Sequence, residues 1–202
     1  MMTDANQCWG VDEAIQHMVQ LAEFLPHGSE EPTARDEVFG YRKIAEAMLP
    51  HGIGVAGGEQ VPSLVIFKQL LQSQAIRLCQ IDATRLAGVN DVLAVILLAA
   101  KYKTLVCPHG GGIGLCNMIC HYALWDQIAV AAHSNGQVVE YLNFLQDGVF
   151  LHPVEVADGA YIAPKAAGWG LEMQPDFVTN HTYPNGKIWR DRQASGSITF
   201  LA

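Results

Sequence analysis

Six polar side chains recur along this chain at almost one interval. Asp4, Glu30, Glu59, Asp82, His109 and Glu140 stand 26, 29, 23, 27 and 31 residues apart. One strand, one helix and their loops occupy about 25 to 30 residues in a (β/α) barrel, and the ends of successive parallel strands ring a single pocket. A residue repeated at that period returns to the same rim from a new strand each time. Five carboxylates and an imidazole gathered there would suit a cation and a carbon acid.

The text between these residues supports the alternation. Gly10 to Phe24 places Val11, Ala14, Ile15, Met18, Val19, Leu21 and Ala22 at helical spacing, with Asp12 and Glu13 in the first turn, where the helix dipole favours anions. Arg35 to Met48 reads as a second helix, stopped by Pro50 and Gly52, and Ser63 to Gln72 as a third. Asp91 to Tyr102 reads as a buried helix, and Gly114 to Trp125 opens another. Short apolar runs lie between them: Gly52 to Gly58, Arg77 to Asp82, Thr104 to Pro108 and Ile128 to Ala132, each expected to be a strand. Strand alternating with helix implies a parallel sheet. Beyond Pro153 the composition turns to Gly, Pro and Ala. The expected division is a barrel portion over 1–152 and an irregular C-terminal segment over 153–202, packed on the barrel.

Composition removes whole classes of function. Half of the 202 residues are hydrophobic and 16% are charged, which describes a folded domain rather than a disordered chain. A net charge of −8 opposes binding to nucleic acid or to anionic membrane surfaces. Val92 to Ala100 ends at Lys101, well short of a membrane span. The first residues, Met1-Met2-Thr3-Asp4, lack the basic and apolar regions of a secretory signal. Five cysteines without framework spacing suit a reduced compartment, so a cytoplasmic location is the expectation.

Each acid also has a plain structural reading. An Asp at a strand end is commonly a helix N-cap. Glu30-Glu31-Pro32 can be a solvated turn, Asp82 can pair with Arg85, and Glu140 can lie on a polar helix face. The functional reading is a joint one, because five such coincidences would have to fall on one βα period. Two further signals compete. Gly110 to Gly114 follows a strand and opens a helix, as in phosphate-binding loops. It lacks a P-loop Lys, and no dinucleotide frame begun in this glycine run is closed by the Gly that the fingerprint needs. These glycines instead let the backbone pass close beneath His109. Cys107, His109, Cys116, Cys120 and His121 suggest zinc, yet Cys116 and Cys120 sit four apart on an apolar helix, where buried thiols are common.

The motifs carry a family resemblance. They are Asp4-Ala5-Asn6-Gln7, Glu30-Glu31-Pro32-Thr33, Gly58-Glu59-Gln60, Phe67 to Gln72, Gln80-Ile81-Asp82, Gly88-Val89-Asn90 and Pro108 to Cys116. In order and spacing the chain resembles the enolase superfamily, and within it the L-fuconate dehydratase branch, from Met1 to about Arg190. Tyr161-Ile162-Ala163-Pro164 and Tyr183-Pro184-Asn185-Gly186 resemble that branch's C-terminal segment. The resemblance implies a partial TIM-type (β/α) barrel, the C-terminal domain of an enolase, with strands three to eight. It would lack the first βα units and the N-terminal capping domain. It further implies that Asp4, Glu30 and Glu59 bind Mg2+ at the ends of strands three, four and five. Three clustered carboxylates repel one another unless a cation neutralises them, and all-oxygen donors favour a hard ion.

By the same resemblance Asp82 and His109 form a dyad at the ends of strands six and seven. The carboxylate orients the imidazole and favours its charged form, which protonates a departing 3-hydroxyl. Glu140, at the end of strand eight, would hydrogen-bond the enediolate left when a sugar acid loses the proton on C2. Asn6 would meet a substrate oxygen, or instead close an Asx-turn. The implied reaction is a Mg2+-dependent dehydration of an aldonate such as L-fuconate to a 2-keto-3-deoxy sugar acid. The implied location includes the mitochondrion. The family's proton-abstracting Lys-x-Lys lies on the second strand, upstream of the first metal ligand, and Asp4 is only the fourth residue here. The alternative expectation is therefore a catalytically inactive family fragment or interaction module. Either form is expected to self-associate or to take up a complementing N-terminal segment through the open sheet.

Overall fold

A computed structural model describes residues 1–132, 138–142, 144 and 146–198. Five βα units follow one another. They are β1 (Met2–Asp4) with α1 (Val11–Leu21), β2 (Gly28–Glu30) with α2 (Val38–Met48), β3 (Gly54–Gly57) with α3 (Leu64–Gln72), β4 (Leu78–Cys79) with α4 (Val89–Lys101), and β5 (Leu105–Val106) with α5 (Leu115–Trp125). The sheet order is β1-β2-β3-β4-β5 and every pairing is parallel. This is an arc of a (β/α) barrel, with each strand beside its predecessor in sequence.

The helices are built as their spacing demands. Ala14 and Met18 of α1, Tyr41, Ile44 and Met48 of α2, Phe67, Leu70 and Leu71 of α3, and Val92, Val95, Ile96 and Ala99 of α4 are all buried. Their three- and four-residue spacing makes one apolar stripe on each helix. These stripes and the sheet face beneath them form one continuous core, joined by Ile53, Val55, Cys79 and Ile81. Burying a side chain the size of Phe67 or Leu70 is worth about 1.5–3 kcal/mol. The helix starts are capped locally: the Ser63 hydroxyl accepts from the Val65 amide, and the Glu37 carboxylate accepts from the Gly40 amide. At the end of β3, Gly58 has φ +129°, and a Cβ there would lie 2.5 Å from the Gln80 carbonyl oxygen, so only glycine fits.

Register decides which side chains share a face. Met2, Thr3 and Asp4 stand beside Gly28, Ser29 and Glu30, and these stand beside Gly54, Val55 and Ala56. The Thr3–Ser29–Val55 row faces the helices, for Thr3 Oγ1 lies 3.4 Å from Met18 Sδ of α1. By strand alternation the Asp4–Glu30–Ala56 row faces the barrel interior. Ala56 pairs with Leu78, and Leu78 with Leu105, so the same interior row continues to β5.

Gly28–Glu30 carries no apolar run yet is a central strand, held on both sides by its neighbours' ladders, with Glu30 at its end as the resemblance implied. Three expectations change. Ile128 to Ala132 is not a strand. Asp126–Val130 continues α5 as a π-helix, closed by the Ala131 amide donating to the Asp126 carbonyl. A five-residue apolar run cannot be told from a helix by pattern alone, and here helical continuity won. The strand expected to end at Glu140 is absent from 138–140, and residues 133–137 lie outside the described ones. The C-terminal stretch is more regular than expected. It holds a hairpin of β6 (Val156–Ala157) and β7 (Ala160–Tyr161) and two helices, α6 (Pro175–His181) and α7 (Lys187–Ala194). Asp158 and Gly159 both take positive φ at the hairpin turn. Asn117 of α5 ties this stretch to the barrel arc, its amide donating to the carbonyls of His152 (3.2 Å) and Gly170 (2.8 Å). Among the described residues no helix is long and apolar enough to cross a membrane.

Candidate active site

The sheet brings five of the six predicted residues to its carboxyl-terminal rim, and a later loop adds the sixth. Asp4 and Glu30 are register partners at the ends of β1 and β2. Glu59 follows β3, three residues after Ala56, which pairs with Glu30. Asp82 and His109 follow β4 and β5, where the His109 amide donates to the Ile81 carbonyl. Glu140 is brought in from a later loop: the Gly110 amide donates to its Oε2, and the Tyr161 hydroxyl donates to its backbone carbonyl at 2.6 Å. The β6–β7 hairpin thus braces Glu140 from behind.

His109 is the hub. Its Nδ1 lies 3.0 Å from Asp82 Oδ2, and its Nε2 lies 3.4 Å from Glu59 Oε2 and 3.9 Å from Glu140 Oε2. Burial opposes a charged ring, but the Asp82 hydrogen bond and the Glu59 and Glu140 carboxylates outweigh it and raise the pKa above the usual histidine range. Asp82 is almost wholly buried. Burial alone would raise its pKa, yet donors from His109 and from the Thr84 hydroxyl (2.7 Å) and amide (2.6 Å) leave it below the usual carboxylate range. One oxygen of Asp82 serves Thr84 and the other serves His109, so the carboxylate is fixed and the imidazole is aimed. A Cβ on Gly111 would run into His109 Nε2, which is the close backbone passage read from the glycine run.

The other three acids behave differently. Glu30 is pushed up to about 7, first by burial and then by the charges of Asp4, Glu59 and Glu140, with only the Gln80 hydrogen bond opposing. Each is held by a nearby polar group. The Asn6 amide and side chain both donate to Asp4 at 2.8 Å, Gln80 Nε2 donates to Glu30 at 2.6 Å, and Gln60 Nε2 donates to Glu59 at 3.3 Å. Asn6 therefore closes an Asx-turn on Asp4 and also orients its carboxylate. Among the described residues no Lys or Arg pairs with Asp4, Glu30 or Glu59. As the side chains stand, no three His, Cys, Asp or Glu of the described residues are gathered tightly enough to hold an ion.

The residues nevertheless fit a hard cation in chemistry and place. Oxygen donors from three adjacent strands share one face, no Lys or Arg of the described residues pairs with them while His109 meets Glu59, and Glu30 is raised by burial and further by the neighbouring carboxylates. Unpartnered buried oxygens stand beside them, Oε1 of Gln80 and Oε1 of Glu31. Burial pushes the Cys107 thiol up to about 12, away from the thiolate form that zinc takes.

Sequence spacing did not single out Gln80, Glu31, Gln7 or Thr84. Gln7 Nε2 donates to the buried Glu31 at 3.0 Å, while its Oε1 accepts from the Arg35 amide, joining the first two loops of the rim. The signal available was adjacency, since each lies within three residues of a repeat position.

Comparison with known proteins agrees with this geometry. A family described as Enolase C-terminal domain-like matches residues 1–177. The chain is 45% identical over 187 residues to an L-galactonate dehydratase of Hypocrea jecorina, covering 93% of this chain and 41% of that protein. The crystal structure of human mitochondrial enolase superfamily member 1 superposes with a TM-score of 0.91 at 44% identity, covering 94% of this chain and 43% of that one. L-talarate dehydratase from Polaromonas sp. JS666, solved with Mg and L-glucarate, superposes with a TM-score of 0.73 at 25% identity, covering 87% and 45%. The chain spans less than half the length of these relatives. From its motifs, its parallel βα arc and these matches, the chain belongs to the enolase superfamily, as a C-terminal domain-like member.

Proposed function

We propose that this chain carries the metal and acid side of a Mg2+-dependent sugar-acid dehydratase, acting on an aldonate of the L-fuconate or L-galactonate kind. The observation that carries the reading is the His109 hub, hydrogen-bonded to a buried Asp82 and facing a cluster of acids with which no Lys or Arg of the described residues pairs. Asp4, Glu30 and Glu59 would hold Mg2+, which when bound supplies charge stabilisation to a carboxylate and 2-hydroxyl of substrate. Support for the ion and the substrate class comes from the relatives, one named an L-galactonate dehydratase and one solved with Mg and L-glucarate.

The chemistry of this chain's own residues follows from their protonation. The substrate gives the proton on C2 to a base of the Lys-x-Lys kind that the resemblance places upstream of Asp4, the 3-hydroxyl departs, and the resulting enol tautomerises to a 2-keto-3-deoxy acid. His109, kept charged by Asp82, gives its proton to the departing 3-hydroxyl, which leaves as water. Thr84 holds Asp82 so that the ring stays aimed. Glu140, fixed by the Gly110 amide and by Tyr161, lies on the far side of the imidazole, placed to hydrogen-bond the reacting carboxylate. Asn6 positions Asp4 and reaches toward the same substrate oxygens.

A second reading rests on the acceptor of the C2 proton. Among the described residues no lysine pairs with any of these acids. A chain of this sequence working alone would then be an inactive family fragment or an interaction module, completed by a second segment or a second copy at the open edges of β1 and β5. The five free cysteines suit the cytosol, and one relative's name adds the mitochondrion.

A dehydration assay decides. The purified chain, with Mg2+ and either L-fuconate or L-galactonate, is followed by NMR for 2-keto-3-deoxy product, with and without a separately supplied segment corresponding to the relatives' preceding strands. Product in either arm, lost in His109→Asn and on chelation, is the expected result. No product in any arm, together with self-association in light scattering, leaves the second reading.

A further inference from the structure

Gln80 is a polar side chain buried at 4% exposure on the interior face of the sheet. It lies two residues beyond Leu78, in the row that runs from Glu30 through Ala56, and its amide continues the ladder by donating to the Gly57 carbonyl. Its Nε2 donates to Glu30 Oε1 at 2.6 Å, across the intervening strand. Its own Oε1 is buried without a partner. A buried carboxamide spending its donor on one oxygen of one acid does more than fill space, because it divides that carboxylate into an engaged oxygen and a free one.

Resting on the cation reading above, we propose that Gln80 is a specificity-determining residue for the ion. By engaging Oε1 it weakens that oxygen as a ligand and favours one-point ligation through the other. Mg2+ demands near-octahedral geometry at about 2.0–2.1 Å, whereas Ca2+ takes six to eight oxygens at about 2.3–2.6 Å and accepts carboxylates by one or both oxygens. A carboxylate limited to one oxygen suits the small ion and denies the large one its extra contact. The unpartnered Gln80 Oε1 then accepts from a water in the small ion's hydration shell, which Mg2+ keeps and Ca2+ sheds more readily. Gln80 acts through Glu30 and through that water, so its role is positioning.

Calorimetric titration of the chain with Mg2+ and, separately, with Ca2+ tests this without any turnover. The wild-type chain is expected to prefer Mg2+. Gln80→Met, which keeps the bulk and removes both polar ends, is expected to lower the ratio of the Ca2+ to the Mg2+ dissociation constant by about tenfold or more. Cooperative melting in EDTA shows whether the variant is folded. Where it is not, Gln80→Asn withdraws the same amide by one methylene and carries the same expectation. An unchanged ratio in a folded variant overturns the role of Gln80 while Mg2+ binding by the wild type keeps the cation site. A wild-type chain that binds neither ion, or that binds Mg2+ as well after Glu30→Gln or Glu59→Gln, overturns the cation site and this inference together.

Discussion

The rim of the sheet has two halves that are finished to different degrees. On β4 and β5, Asp82 has a donor for each oxygen and His109 has a partner at each nitrogen. On β1 to β3, Asp4, Glu30 and Glu59 face one another with amide donors and no paired Lys or Arg among the described residues, and His109 reaches into the group at Glu59 from the other half. The first half is complete within the chain. The second stores repulsion that a bound ion would relieve. On the proposed reading, the proton donor is prepared by neighbours in its own chain, whereas the metal site stays electrostatically unsatisfied until its ion arrives.

The largest break in this comparison is expected at Asp82. Asp82→Ala removes the fixed acceptor of a buried charge-assisted network and should cost about 3 kcal/mol or more of unfolding free energy in urea titrations. A loss below 1 kcal/mol would mean that the dyad half is not preassembled.

Next comes the ion. Mg2+ at a hundredfold excess over its dissociation constant should stabilise the folded chain by about 2.7 kcal/mol. Glu30→Gln should abolish that gain while leaving the EDTA-treated protein as stable as the wild type or more so. Thermal melts with and without Mg2+ read both quantities.

The pH profiles should then run in opposite directions. Glu30 is raised from 4.5 to about 7 in the fold, so its neutral form is favoured. Its contribution is full below the unfolded value and is lost as pH rises through about 7. Asp82 is lowered below 3.8, so its contribution is present above that value and is lost as pH falls through the folded pKa. In EDTA, Glu30→Gln should flatten the decline toward neutrality and Asp82→Asn the decline in acid. Two profiles of the same sign would erase the distinction between the halves.

The smallest effect is expected at Arg85. Its guanidinium is half exposed and 4.0 Å from Asp82, so Arg85→Ala should shift stability by less than about 0.5 kcal/mol. A larger loss would move Arg85 into the dyad.

Much of this was legible in the residues. Met18, Ile44, Phe67 and Val95 sit in the core because their helical spacing already placed them there. The repeat from Asp4 to His109 named the rim because a parallel βα unit has a nearly constant length. The pattern failed where it was short. Ile128 to Ala132 carries too few residues to separate a strand from the end of a buried helix, and Gly28–Glu30 has no apolar signature because its neighbours on both sides hold it by backbone ladders alone.

The order of residues along the chain determined the unit, its period and the chemical class of the six rim positions, since these depend on local hydrophobic spacing and side-chain type. Tertiary structure alone decided that His109, besides its expected partner Asp82, would also face Glu59 and Glu140, that Gln80 would reach Glu30 from fifty residues away, and that a hairpin near Tyr161 would brace Glu140. Such contacts depend on register and on the direction of side chains across strands. Those quantities exist only once the sheet has formed.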